Sequence, residues 1–102
     1  MDIKVEGTLP VAITLLVGQK TVKTKQVVMR QLTVGEYLAQ QATLTEGAYL
    51  APAELAAMTK LVDEDAVEHQ LTYEALINSS KSNYDKLSLL KAQLEAKEAA
   101  AS

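Results

Sequence analysis

Strict alternation of apolar and polar side chains opens the chain. In DIKVE (2–6) Ile3 and Val5 share one face, the period-two pattern of a short half-buried strand. GTLP follows as a break, because Pro10 has no amide proton to give to a ladder. Alternation resumes over residues 11–30 on both sides of Gly18-Gln19, and a Gly-first pair favours a two-residue hairpin turn. A turn there sets Leu15 opposite Val22 and Ile13 opposite Thr24 on one face. The other face pairs Thr14 with Lys23 and Ala12 with Lys25, so lysines meet water and the larger aliphatics point inward. Val27, Val28 and Met29 interrupt the alternation, which predicts burial on both faces or a bulge near the strand exit.

From residue 33 the apolar positions take a helical period. Thr33 and Glu36 stand in capping-box spacing, the hydroxyl accepting from the Glu36 amide and the carboxylate reaching back to the Thr33 amide. Leu32 is placed to clamp the entry against Tyr37 or Leu38. Positions 34, 37, 38 and 42 then predict a short helix ending before Gly47. Gly35 costs about 1 kcal/mol relative to alanine in a helix interior, less in a first turn, and predicts close approach of the sheet. Pro52 suits a first helical turn, and PAELAAMTKLV puts Leu55, Met58 and Leu61 or Val62 on one face. Asp65 with Glu68 repeats the capping spacing before another short helix, and Thr72 restarts the chain as TYEALI. SSKSN is a loop or a new cap. Ser82 with Asp85 opens the last helix, where Tyr84, Leu87, Leu90 or Lys91, and Leu94 form one stripe. The AAAS tail should fray. The outline is an α+β single domain over residues 1–102: a β-hairpin or small antiparallel sheet in 1–30, then three to four short helices in 33–99.

Composition makes the expected core modest. Leu, Ile and Val supply 27 of 102 residues, above the roughly 20% floor below which chains tend to stay disordered, but there is no Phe or Trp. Small domains of this kind gain stability by associating, so a partner or self-association suits the chain. The longest apolar run, VAITLLV, is too short to span a bilayer, and MDIKVEG does not read as a secretion signal. With no cysteine, these features lead us to expect a soluble cytoplasmic protein with no disulfide frame and no membrane partner. Charge is uneven: residues 1–42 carry five Lys or Arg against three acids, residues 43–102 five against ten. Only Lys20, Lys23, Lys25 and Arg30 approach a basic cluster, which argues against nucleic-acid binding.

Little in the sequence suggests catalysis. His69 is the only histidine, and Asp65 four residues before it makes two possible ligands, short of a closed metal site. DEDAVE lacks the order of a calcium loop and fits helix capping better. The serines have no nearby histidine to act as base, and the glycines at 7, 18, 35 and 47 are too scattered for a phosphate loop. Lys23 and Lys25 read as a solvated strand face. No enzyme activity, cofactor or metal is expected.

The segment VVMRQLTVGEYLAQQ resembles the tail assembly chaperones of long-tailed bacteriophages, the Mu-like and P2-like tail proteins. In that family a β-hairpin runs into a segment whose pattern is matched here by Met29, Arg30, Leu32, Thr33, Val34, Gly35, Glu36, Tyr37 and Leu38. Gln31 replaces the usual acidic residue, and Glu36 replaces Asp while keeping the capping chemistry. QLTYEALINSSKSNYDKL is similar to a later part of the family through Leu76, Asp85 and Leu87. The resemblance implies structural roles for Arg30, Thr33, Gly35 and Glu36. It also implies a protein of the host cytoplasm that binds the tape measure protein and keeps it soluble before the tail tube assembles. The last-helix stripe of Tyr84, Leu87, Leu90 and Leu94 is the candidate partner surface, with core packing as its competing reading. A structural tail or regulatory adaptor protein retained in a larger assembly is the alternative function.

Overall fold

The computed structural model describes residues 2–101. Strands β1 (Lys4–Val17) and β2 (Lys20–Arg30) form the expected hairpin, with Gly18 at φ +62° in the turn, a conformation glycine adopts without a Cβ clash. Ile13 pairs with Thr24, Thr14 with Lys23 and Leu15 with Val22, as the alternation requires. Ala12 does not pair with Lys25. The ladder jumps between Thr8 and Ile13, so that residues 9–12 stand against Lys25 alone, and the expected break at GTLP is instead a bulge inside one long strand. Pro10 is accommodated there, where no amide proton is needed. Val27, Val28 and Met29 are all buried, Val27 and Met29 in the core and Val28 on the opposite face of the sheet, between β1 and β3.

Two further strands lie where helix was expected. Helix α1 (Val34–Ala42) and helix α2 (Leu50–Met58) follow the hairpin, and α2 passes without a loop into β3 (Thr59–Val62). β4 (Glu68–Gln70) completes an antiparallel sheet in the order β1-β2-β3-β4. Helices α3 (Tyr73–Ile77) and α4 (Lys81–Ala101) close the α+β fold. The segment 33–99 is therefore not purely helical.

The reason α2 stops at Met58 is tertiary. Buried Thr59 takes extended backbone angles and donates its hydroxyl to the Leu55 carbonyl at 2.7 Å. From β4, the Gln70 side-chain amide donates to the Ala56 and Thr59 carbonyls at 2.7 and 3.1 Å, a second donor to carbonyls that also accept the Thr59 and Leu71 amides. Thr59 and Leu61 then point into the core while Lys60 points out, a strand alternation.

Asp65 and Glu68 start no helix. The turn at 63–67 is instead organised by Asp63, whose Oδ1 accepts the amides of Asp65 and Val67 at 2.8 and 2.9 Å, with Ala66 left-handed at φ +63°. Thr72 does cap α3, accepting from the Ala75 amide at 3.1 Å. α4 begins at Lys81, so Ser82 lies within it, and Asp85 binds Lys81 rather than closing a capping box. The helix continues through Ala101 where fraying was expected, while Ser102 lies outside the described residues.

α4 lies across the sheet against β1 and forms the core with it. Leu87, Leu90 and Leu94 are fully buried with Leu9, Ile13, Met29 and Leu61, and Tyr84 packs at the margin. α4 comes close at Gly7, where an added Cβ would sit 2.8 Å from Leu90 Cδ1. Farther along, buried Asn83 acts as a substitute strand at the bulge. Its Oδ1 accepts the Val11 amide at 3.0 Å and its Nδ2 donates to the Val11 carbonyl at 2.9 Å.

Gly35 does not have the close neighbour expected of it, since a Cβ there would meet nothing nearer than Thr33 Oγ1 at 4.0 Å. The two glycines should therefore respond in opposite directions to alanine. Gly35→Ala should stabilise the chain by up to about 0.5–1 kcal/mol through helix propensity. Gly7→Ala should cost about 1–2 kcal/mol by crowding Leu90. Urea denaturation of both variants checks the signs.

Candidate docking site

The capping box at the strand-to-helix junction is complete. Glu36 N–H donates to Thr33 Oγ1 at 3.1 Å, and Thr33 N–H donates to Glu36 Oε1 at 2.9 Å. The bond from the Thr33 backbone, then the one with its hydroxyl, hold the Glu36 carboxyl below its ordinary range. Leu32 does not clamp α1 but packs against the core, while Tyr37 and Leu38 remain exposed. Arg30, at the end of β2, ties the segment before β1 to β4: Nε meets Asp2 at 3.0 Å, and the two terminal nitrogens grip Glu68 of β4 at 2.8 and 3.2 Å. Bonds to Glu68 first and Asp2 second raise the guanidinium's proton affinity further. Arg30, Thr33 and Glu36 thus build the junction. Gly35 lies exposed in the first turn of α1.

What this junction presents is an uncovered helix. α1 buries none of its residues, and Val34 is 76% and Leu38 57% exposed. Four residues apart, these two side chains share one face. Beside it, Tyr37 and Leu50 line a recess of about 220 Å³ with Gln40, Gln41, Ala51 and Glu54. On the other flank, a groove of about 560 Å³ separates α1 from α2 and α3. Half-buried Leu44 and Ala57 contribute apolar surface to it, buried Ala53, Ala56 and Leu71 lie beneath, and Glu36, Gln40, Gln70 and Glu74 are among its polar members.

The stripe singled out from the sequence does not join this surface. Leu87, Leu90 and Leu94 are at most 1% exposed in the core and Tyr84 is half-buried, so as folded they offer a partner no continuous face. That corrects the expected location: α4 turns these three leucines inward because β1 and β2 need a cover. The α1 face was missed because its apolar positions read as ordinary helix core.

His69 pairs with Asp63, not with Asp65. Its Nε2 lies 2.8 Å from Asp63 Oδ2, with only 16% and 10% of the two side chains exposed. Among the described residues no three His, Asp or Glu side chains gather as a metal site requires. The bond to His69, then that from the Val67 amide, holds the Asp63 carboxyl below its ordinary range. Asp63 therefore contributes stability above its unfolded value of about 4, and the contribution is lost as pH falls through the lower folded value. Asp63→Asn should lower the thermal midpoint at neutral pH and flatten its decline below about pH 4; thermal scans across that range check it.

Among the described residues, no helix is long and apolar enough to cross a membrane. Comparison with protein-family models, with curated proteins and with solved structures found no match.

Proposed function

We propose that this chain is a tail assembly chaperone of a long-tailed bacteriophage, a non-catalytic protein that binds the tape measure protein in the host cytoplasm. It keeps that partner soluble until the tail tube forms around it. The observation that carries the reading is α1. The segment that resembles the chaperone family, Met29 to Leu38, forms a strand end and a fully capped helix whose Val34 and Leu38 face solvent. A long helical partner with apolar stripes is read by surfaces of this kind, through anchors at helical spacing.

Coexpression with fragments of a tape measure protein, followed by size-exclusion chromatography, tests the proposal. A soluble complex is expected, and Leu38→Asp, at an exposed position, should weaken it by about tenfold or more while leaving the fold intact. Fragments that stay insoluble and unbound would count against the proposal. Purified virions should lack the chain; stoichiometric copies there would favour a retained structural tail protein.

A further inference from the structure

We infer that the groove between α1, α2 and α3 seats an amphipathic helix whose apolar face is flanked by lysine or arginine. The inference rests on the protein-binding reading above and adds the chemistry of the partner. Its apolar half follows from the floor, where Ala53, Ala56 and Ala57 of α2 lie with Leu44 and Leu71. Alanines let a helix backbone come close, and a groove of about 560 Å³ admits several side chains.

The charge follows from what surrounds that floor. Between Gln31 and Ser80 there are eight acids, and Lys60 is the only Lys or Arg. Three of those acids already have partners within the fold: Glu54 pairs with Lys91, Asp63 with His69 and Glu68 with Arg30. Glu36 on α1 and Glu74 on α3 both line the groove, and Glu46 follows its lining residue Thr45 in the turn after α1. Among the described residues none of these three is in an ion pair. A partner with an apolar stripe and a cationic margin complements both features, and an acidic one is repelled.

The test uses the full chain and two fluorescent 20-residue helical peptides with the same leucine-alanine face, one with lysine and one with glutamate at the flanking positions. Anisotropy titrations at low salt should show the lysine peptide binding about tenfold tighter or more. In the double variant E36Q/E74Q that preference should largely collapse. Gln still serves in a capping box, so α1 keeps its start, and a parent-like far-ultraviolet circular dichroism spectrum with cooperative unfolding confirms that the variant is folded. Equal affinity for both peptides, binding of neither, or a preference that survives in E36Q/E74Q would overturn the inference. So would a concentration-dependent dimer of the chain alone that E36Q/E74Q abolishes, since the groove would then belong to a second copy. The tape measure coexpression reads separately. A complex there with no charge preference here removes only the charge assignment, and a preference here without that complex removes only the chaperone reading.

Discussion

Asn83→Asp should destabilise the chain by about 3–5 kcal/mol at neutral pH, as breaking a buried network and leaving an uncompensated charge does. The parent side chain is fully buried and supplies one acceptor and one donor to Val11, at the bulge where β1 leaves its β2 partner. Aspartate keeps the acceptor but turns a second oxygen toward the Val11 carbonyl, so two acceptors face each other without water. Protonation restores a donor at that oxygen. The folded state therefore raises this carboxyl's pKa above its unfolded value, and the penalty shrinks as pH falls through the folded value. Asn83→Leu removes both bonds without adding charge and should cost about 2–3 kcal/mol at every pH. Urea titrations at two pH values separate the variants. An Asn83→Asp chain as stable as the parent at pH 7 would mean that the bulge does not depend on α4.

Leu87→Ala should cost about 3 kcal/mol, within the range for deleting a fully buried leucine side chain. Two residues on, Leu89 is 52% exposed, and Leu89→Ala should fall within about 0.5 kcal/mol of the parent. This pair on one helix decides the role of α4. If its stripe served mainly as a docking face, Leu87→Ala would leave stability near the parent value and weaken partner binding. The structure predicts the reverse, with unfolding shifted and the α1 surface unchanged.

The parts of the fold that could be read from sequence are those set by local chemistry. A Gly-first turn with alternating flanks defines the hairpin register from Ile13 to Leu15, and hydroxyl caps define the starts of α1 and α3. The rest depends on distant partners. Leu61 fits both the helical spacing from Leu55 and Met58 and the alternation Thr59, Lys60, Leu61. Gln70, eleven residues beyond Thr59, secures the strand. A three-residue strand such as β4 carries too little pattern to be found alone. The glycine that permits close packing is Gly7, because α4 crosses there, and nothing near Gly7 in the chain marks that crossing. The exposed face of α1 was hidden for the same reason: an amphipathic stripe states that a face is apolar, and only the fold states whether something covers it.

Amide hydrogen exchange of the chain, alone and bound to a tape measure fragment, tests the central claim most directly. Binding should slow exchange across α1, α2 and the start of α3 and leave α4 unchanged, since Leu87, Leu90 and Leu94 are already sealed against the sheet. New protection confined to α4 or the hairpin tip, with α1 exchanging as freely as before, would contradict the account.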